Sequence, residues 1–317
     1  MTQETRAGSP DAGPQVRGRS GARAVARFAR LAAALLMGGL AAAVVQSGCS
    51  GTLPVARDIP RADCAKTSTD ALTLMTFNIR VGFGDGRSGV RPQYLAFARK
   101  DLAPIIASIR SLNPDIVALQ EVLTRQQGQR IAETLGMHYA FSSHLGEVPF
   151  WGVALLSKCP IEETEVAVVS DAFGNKRRAL IGSVALEDGT IAVASVHTDP
   201  DVDIDMQLGR VSEALAQRGD EVILMGDMNL PPTAKGLEPI RTRYTDTAES
   251  ARTRTAEAAR ERGTIAARNT PKKRIDYILV PQTRWRVLDA GLSLDRHAHA
   301  SDHRGYFAVI RGLRSAE

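Results

Sequence analysis

Short apolar runs that end on polar residues recur along the chain from residue 72 onward. The plainest is 221–225, five residues typical of a strand that is covered on both faces. Gly226 follows, and then the polar Asp227 and Asn229. Side chains two residues apart at a strand end lie on the same side of the sheet, so both could reach one phosphate or one bound water. Taken alone, the pattern also fits a strand followed by an ordinary polar turn.

Similar patterns predict further strands and helices. Alternating and β-branched residues predict strands, and apolar residues at three- and four-residue spacing predict helices. The predicted strands cover 72–79, 115–122, 139–142, 151–157, 162–168, 178–186, 190–197, 221–225, 274–280, 285–292 and 305–311, and the predicted helices cover 100–112, 124–135 and 203–218. Consecutive strands followed by helix and strand in alternation indicate two layers of mixed sheet with helices outside, an α/β (α+β) arrangement.

The first 48 residues differ in composition from the rest. Six arginines stand there against two acidic residues, and an apolar, small-residue run at 31–45 follows them. This is the layout of a secretory signal, and the run is short for a membrane span. We therefore expect 1–48 to be a signal peptide or N-terminal membrane anchor, 49–71 a linker, and 72–317 one extracytoplasmic catalytic domain, either secreted or anchored.

The three cysteines leave two questions open. Cys49 follows Ser-Gly and resembles a bacterial lipoprotein processing site, at which it would become a lipidated N-terminus, but Gln46 stands where that motif usually has Leu. Cys64 and Cys159 could pair in an oxidising compartment. Alternatively they are two unpaired thiols, with Cys159 packed at a strand end.

Charge adds less than the total of +5 suggests, because residues 1–48 account for +4 of it. The remaining domain is nearly neutral, and its overall charge argues neither for nor against nucleic acid. One segment, 252–274, carries eight basic side chains against two acidic ones. It would attract a polyanion or an anionic membrane surface, or it is an exposed polar helix.

Candidate catalytic residues lie at the ends of the predicted strands: Asn78 in TFN, Glu121 in LQE, His197 in VHTDP, Asp227 and Asn229 in GDMN, Asp276 in RIDYIL, and Asp302 and His303 in SDH. In this order and spacing, from about 72 to 311, the chain resembles the endonuclease/exonuclease/phosphatase superfamily. That superfamily includes pancreatic-type deoxyribonucleases, abasic-site endonucleases, neutral sphingomyelinases and inositol polyphosphate phosphatases. The resemblance implies a four-layered sandwich of two mixed β-sheets flanked by helices.

The chemistry of phosphodiester hydrolysis explains these residue types. It needs a cation on the phosphoryl oxygens, a water in line, and a route for the leaving oxygen to be protonated. Glu121 is a hard oxygen ligand in an otherwise apolar strand, which suits Mg²⁺ or Mn²⁺ rather than zinc. A carboxylate such as Asp276 beside the imidazole of His303 would fix its tautomer and raise its pKa. Without the family resemblance, His197 is more typical of a satisfied core histidine.

The resemblance also implies individual roles. Glu121 would be the principal metal ligand, with Asn78 and Asp302 near the ion. Asp276 would orient His303, which would act as general base or phosphate ligand.

The remaining roles concern the substrate. His197 would protonate the leaving group or bind the transition state, and Asp227 and Asn229 would align water and phosphate. Arg178 occupies a position where relatives often carry a phosphate-facing arginine, although a solvated arginine at a strand edge fits equally well. Arg80 departs from abasic-site endonucleases, which have an acid there, and this weakens a DNA-repair interpretation.

The sequence thus favours an exported, Mg²⁺- or Mn²⁺-dependent phosphodiesterase that acts as a monomer on nucleic acid. One alternative is a phospholipase C acting on sphingomyelin or another phosphoester, favoured by membrane attachment. Another is a non-catalytic binding lipoprotein with the same fold, which the full set of candidate residues argues against.

Overall fold

The computed structural model describes Cys64 and residues 67–84, 101–219, 221–266 and 273–313. The predicted signal or anchor, Cys49, most of the predicted linker, the start of the helix predicted from residue 100, and 267–272 of the basic segment lie outside the described residues. In the described parts, no helix combines the length and the apolar character needed to cross a membrane.

Two six-stranded sheets form the centre of the domain. The first contains, in spatial order, β11 (Trp285–Leu292), β12 (Tyr306–Gly312), β1 (Leu72–Asn78), β2 (Ile116–Thr124), β4 (Phe150–Ser157) and β3 (His138–Ser143). The second contains β5 (Ile161–Ser170), β6 (Arg177–Leu186), β7 (Gly189–His197), β8 (Ile223–Asp227), β10 (Asp276–Pro281) and β9 (Tyr244–Asp246). Each sheet has one parallel pair, β1 with β2 and β7 with β8, so both sheets are mixed, as predicted.

Helices pack on the outer faces of the sheets and, in the case of the last two along the chain, against the core between the sheets. They are α1 (Ala103–Leu112), α2 (Arg125–Leu135), α3 (Ile204–Ala216), α4 (Glu238–Arg241), α5 (Thr247–Ser250) and α6 (Arg254–Arg262). Ile109 of α1 and Ile131 of α2 belong to the core cluster of Phe77 on the first sheet, and Leu208 of α3 belongs to that of Leu224 on the second. The predicted four-layered sandwich is confirmed.

Local sequence sets the limits of these helices. The Thr124 hydroxyl accepts a hydrogen bond from the Gln127 backbone N–H at 3.0 Å and so caps α2. Gly136 ends that helix in the left-handed region, at φ 70°, which glycine adopts without strain. Asp203 caps α3 in the same way, through the Met206 N–H at 3.1 Å. The helices predicted over 124–135 and 203–218 thus begin at their capping residues.

The space between the sheets is mostly apolar but also contains polar contacts, including a bridge from β2 to β7. Gln120 on β2 accepts a hydrogen bond from the Thr76 hydroxyl at 3.2 Å and donates to the Ser195 hydroxyl on β7 at 3.1 Å. All three side chains are fully buried. Satisfied buried polar groups specify one packing arrangement, so this bridge fixes how the two sheets meet directly below the strand ends.

A bulge in β2 aims Glu121 away from the regular strand. Its pairing with β4 shifts register between Leu119 and Val122, and Glu121 itself has φ 52°. A β-bulge leaves an unpaired residue whose side chain is redirected. The sequence placed Glu121 near the end of its strand, whereas β2 continues to Thr124.

Cys64 and Cys159 form a disulfide, with 4.8 Å between their Cα atoms. Cys159 is fully buried just after β4. The pairing left open by the sequence is therefore realised, and the alternative of two unpaired thiols is wrong. The bond fastens the segment before β1 to the core.

Candidate active site

Asn78, at the end of β1, connects the two sheets at one edge of the sandwich. Its side-chain amide donates to Glu121 Oε1 at 3.1 Å and to Asp227 Oδ2 at 3.0 Å. Its own oxygen accepts the Arg80 backbone N–H at 3.0 Å. A primary amide has two N–H donors, and both are used here to hold carboxylates that come from different sheets. Asn78 therefore fixes the position of Glu121 relative to Asp227.

Strand pairing in the second sheet brings two more predicted residues to the same place. His197 and Asp276 are the cross-strand partners of Asp227, from β7 and β10. All three side chains are buried. His303, from the loop before β12, lies against them, with its Nδ1 2.9 Å from Asp276 Oδ2 and its Nε2 3.7 Å from Asp227 Oδ2. The residues predicted from separate motifs thus form one cluster.

His303 is held as a cation by this arrangement. Burial alone would lower its pKa, but the charges of Asp276 and Asp227 and the Asp276 hydrogen bond outweigh burial and raise the pKa to about 10. An opposite charge nearby favours the charged form of a group. His303 therefore carries a proton at neutral pH and acts as a donor. Of its two predicted roles, phosphate ligand fits this protonation and general base does not.

Asp227 is shifted in the direction of a general base. Burial raises its pKa, the charge of Asp276 raises it further, and the value is about 7 despite the opposing effect of His303. Its Oδ1 accepts the Asn229 backbone N–H at 3.0 Å. Asn229 has φ 52°, and its side chain donates to the Thr198 carbonyl at 2.9 Å. A base with a pKa near the working pH is best suited to accept a proton from water.

His197 is neutral, in contrast to His303. Burial lowers its pKa well below the ordinary value, and the charge of Arg177 lowers it further. Its Nε2 lies 3.7 Å from Asp227 Oδ2. A neutral imidazole can donate one hydrogen bond but has no additional proton to give. Of the two predicted roles, binding the transition state fits this state better than protonating the leaving group.

Glu121 and Asp302 offer oxygen ligands on the other side of Asn78. The Glu121 carboxylate is half-buried, and burial raises its pKa; the nearby charge of Asp302 also raises it. Asn78 is its only hydrogen-bond partner among the described residues. Asp302 forms an ion pair with Arg80 at 3.2 Å. Two neighbouring carboxylates with free oxygen lone pairs fit a hard divalent cation.

A second group, Asp227, Asp276 and His303, has ligand atoms that all lie within 4.8 Å of one another. It is less suited to a metal, because the His303 Nδ1 is already bonded to Asp276 and the ring is protonated. A protonated imidazole has no lone pair for a metal. The carboxylates of Glu121 and Asp302 are therefore better suited to a cation, and the second group is better suited to proton transfer.

Arg178 does not join the cluster. Its guanidinium forms an ion pair with Asp171 at 2.7 Å and donates to the Ser170 carbonyl at 3.0 Å. Successive side chains of a strand point to opposite faces, and the neighbouring Arg177 faces the site instead. Arg177 is buried and pairs with Asp199 at 2.8 Å, and its charge lowers the pKa of both Glu121 and His197. The arginine that faces the site is therefore Arg177, one position before the predicted Arg178.

The environment of Arg177 includes two residues that sequence patterns did not indicate. Its guanidinium lies over the Trp151 ring, 4.5 Å from the centroid. His144 packs edge-on against the same ring, with 5.5 Å between centroids. Neither residue belongs to a motif, and only the packing of β4 and β6 brings them together. The sequence carried no signal for them.

The basic segment runs beside the site, although not all of it is available. The Ala266 N–H donates to the Asp302 carbonyl at 2.6 Å, and Ile265 forms a β-bridge with His303. Arg274, however, is 3% exposed and pairs with Asp246 and Glu249, each at 2.8 Å. Arg274 is therefore not available to a polyanion, although it belongs to the basic segment.

The comparison with known protein families agrees with the arrangement of the site residues. A family model described as the Endonuclease/Exonuclease/phosphatase family matches residues 75–303, which contain every residue of the cluster. Comparison with curated protein sequences finds no significant match.

Solved structures of similar fold exist. An endonuclease/exonuclease/phosphatase from Bacteroides vulgatus has a TM-score of 0.61 and 16% identity over 77% of this chain and 99% of its own. One from Beutenbergia cavernae has a TM-score of 0.56 and 21% identity over 77% of this chain and 72% of its own. A mannosyl-6-phosphatase from Bacteroides thetaiotaomicron has a TM-score of 0.59 and 20% identity over 75% of this chain and 99% of its own. At these identities the likeness is one of fold.

Proposed function

The chain belongs to the endonuclease/exonuclease/phosphatase family, whose members are hydrolases of phosphoester bonds, and from that premise we propose that it is a divalent-metal-dependent phosphodiesterase that acts as a nuclease. One observation carries the proposal. The Asn78 amide joins a candidate metal ligand, Glu121, to a cluster of Asp227, Asp276 and His303 built for proton transfer. This combination has the parts that phosphoester hydrolysis requires.

The side chains of the site have separate roles in the proposed reaction. The Asp227 carboxylate, with a pKa of about 7, accepts the proton of the attacking water. The cationic His303, oriented by Asp276, donates its Nε2–H to the leaving oxygen and protonates it as its bond to phosphorus breaks, and the neutral His197 donates its Nε2–H to a non-bridging phosphoryl oxygen. Donors fixed where negative charge develops stabilise the transition state more than the bound substrate. Asn229, fixed by Thr198, helps to align the water and the phosphate.

Glu121, Asp302 and Asn78 would hold the cation, Mg²⁺ or Mn²⁺, which would supply charge neutralisation at the phosphoryl group. The hard oxygen donors of these side chains suit either ion. The partly exposed position of Asp302, paired with Arg80, leaves this side of the site accessible.

Nucleic acid is the proposed substrate because the basic segment lies next to Asp302 and His303. Lys273 of that segment, which lies three residues before Asp276, is exposed. Exposed cations next to a phosphodiesterase site attract a polyanionic substrate. A small phosphomonoester is the second candidate, favoured by the similarity in fold to a mannosyl-6-phosphatase.

A substrate panel tests the proposal. We expect hydrolysis of DNA or RNA and of bis(p-nitrophenyl) phosphate with Mg²⁺, and loss of both activities with a chelator. Sphingomyelin and mannose 6-phosphate in the same panel test the phospholipase and phosphomonoesterase alternatives. Failure to cleave any diester with Mg²⁺ or Mn²⁺ would contradict the proposal and leave a binding function.

We also infer that the domain is exported, in secreted form or attached to the membrane through Cys49. The basic, then apolar composition of residues 1–48 supports this, as does the disulfide between Cys64 and Cys159, because structural disulfides persist in oxidising compartments. Cell fractionation with fatty-acid labelling tests the inference. Full-length soluble protein in the cytoplasm, with no label on Cys49, would reject both forms of export.

A further inference from the structure

Two buried ring nitrogens next to the site have no hydrogen-bond partner among the described residues. They are Nε2 of His144 and Nδ1 of His197. The His144 side chain is fully buried, and His197 is 3% exposed. The ring centroids lie 6.1 Å apart, with the planes tilted by 56°. A buried polar atom without a partner is costly, so two of them in neighbouring rings call for a common explanation.

The two nitrogens are complementary. The Nδ1 of His144 accepts the Arg178 backbone N–H at 2.9 Å, so the proton of this ring is on Nε2. The Nε2 of His197 is the nitrogen that lies 3.7 Å from Asp227 Oδ2, so we assign the proton of that ring to Nε2. His144 therefore presents a donor, and His197 presents an acceptor. Neither ring carries a second proton, because burial lowers both pKa values well below the ordinary value.

The separation of the rings suits a single water. Centroids 6.1 Å apart are too far for a direct hydrogen bond between two imidazoles. One water can accept from the His144 Nε2–H and donate to the His197 Nδ1, and waters in such buried polar positions are part of the structure.

His144 is fixed firmly enough to orient a neighbour. Its ring is bonded to the start of β6 through Arg178 and packs edge-on against Trp151, 5.5 Å between centroids. The His144 ring is fully buried beside Trp151 and His197, and its hydrogen-bonded nitrogen faces the backbone of Arg178. Any effect on the reaction has to pass through His197.

We propose that His144 is a positioning residue that keeps His197 in the tautomer with its proton on Nε2. In that tautomer His197 directs its N–H towards Asp227 and the phosphate position, whereas the other tautomer would present a lone pair there. The partner of the distal ring nitrogen commonly sets the tautomer of a functional histidine. This inference rests on the proposed function for its effect on turnover, but not for the tautomer itself.

Two substitutions separate this role from a structural one. In His144→Asn the amide oxygen takes the place of Nδ1 and still accepts the Arg178 N–H, but the donor towards His197 is lost. In His144→Gln the amide N–H reaches the place of Nε2, and the acceptor for Arg178 is lost instead. We expect the Asn variant to keep its Tm and KM and to lose kcat by roughly 10-fold, the lower end for supporting residues. The Gln variant should have a lower Tm and most of the wild-type kcat.

A purely structural His144 would give the reverse order, with kcat following Tm, and that result would overturn the proposal. His197→Ala is the background control for the Asn variant. Because His144 acts through His197, His144→Asn should cause no further loss of kcat in that background. Losses of kcat that multiply in the double variant would also overturn the proposal.

The decisive readout needs no turnover. In ¹⁵N-labelled, metal-free protein, His197 should show a protonated Nε2 and an unprotonated Nδ1, and His144→Asn should produce a mixture of tautomers that His144→Gln does not. An unchanged His197 tautomer in the folded Asn variant would reject the proposal. If the wild type hydrolyses no phosphoester, this spectrum still tests the inference, and only the proposed function fails.

Discussion

His303 and His197 stand on two sides of one carboxylate and differ in charge. Both rings are buried, and each places its Nε2 3.7 Å from Asp227 Oδ2. On the His303 side Asp276 is in hydrogen-bond contact, and the pKa rises to about 10. On the His197 side burial and Arg177 lower the pKa well below its ordinary value. The same side chain at the same distance from the same acid thus becomes a cation or a neutral donor, according to its other neighbours.

The difference gives the two sides different tasks. The cationic side can stabilise negative charge that builds up on the phosphoryl group. The neutral side can bind an oxygen without adding a second buried positive charge next to Arg177. This difference predicts that the His303 side contributes more to catalysis. Substitutions on each side test that prediction.

The largest loss should follow from disrupting the cationic side. His303→Ala and Asp276→Asn should each lower kcat/KM on a small diester by about 10²–10⁴-fold, because Asp276 orients His303 and keeps it charged. The double variant should be scarcely worse than either single one, since the two residues act as one unit. Losses that multiply in the double variant would show that the pair does not function together.

Removing the neutral His197 ring should lower kcat by a smaller factor. His197→Ala deletes one donor, which we expect to lower kcat by roughly 10²-fold, near the lower end for a lost transition-state donor. Because the His197 pKa lies well below 6.5, the ring stays neutral, and the ratio of wild-type to variant kcat should be the same at pH 6 and pH 8. A ratio that changes through this range would mean that His197 titrates, and the comparison between the two sides would then be wrong.

The adjacent arginines provide a matched pair on the neutral side. Arg177→Lys should weaken kcat/KM by about 10-fold, because lysine cannot reproduce the planar guanidinium that both stacks on Trp151 and pairs with Asp199. Arg178→Lys, one residue away and paired with Asp171 outside the cluster, should leave kcat/KM within about twofold. Equal losses of kcat/KM in both variants would show that Arg177 does not belong to the site. Steady-state kinetics on one small diester measures both.

Arg177 and Arg178 also show a limit of prediction from the sequence. The strand that contains both arginines was predicted from residue 178, and β6 begins at Arg177. A shift of one residue in a strand moves a side chain to the opposite face, so the motif located the strand but not the face. His144 was missed for a different reason. Its hydrogen bond from Arg178 joins residues 34 positions apart, and no local pattern records that contact.

Most other elements were predictable because their signals are local. Alternating apolar residues, the Thr124 and Asp203 caps and the Gly136 stop lie within a few residues of what they control. The three-residue strand Tyr244–Asp246 was not predicted, since it is too short to show a period and is defined by its pairing with β10. The orientation of Glu121 likewise depends on a bulge opposite β4, which only pairing determines.

The smallest effect on catalysis is expected from the disulfide, which lies away from both histidines. Replacing both Cys64 and Cys159 by serine should lower the free energy of unfolding by about 2–4 kcal/mol, because the crosslink restricts the unfolded chain. At temperatures where the variant is folded, kcat should remain unchanged. Denaturant unfolding and kinetics on the same preparation separate the two quantities. A loss of kcat in the folded variant would connect the disulfide to the site.

The most direct test of the metal and proton assignments is kcat/KM on bis(p-nitrophenyl) phosphate across a Mg²⁺ series for the wild type, Glu121→Gln and His303→Ala. Glu121→Gln keeps size and hydrogen bonding but removes the charge that would hold the cation, so activity should collapse at low Mg²⁺ and return in part at high Mg²⁺. His303→Ala should be impaired at every Mg²⁺ concentration, because its contribution is not ion affinity. Near-normal activity of Glu121→Gln at low Mg²⁺, or rescue of His303→Ala by Mg²⁺, would contradict the account.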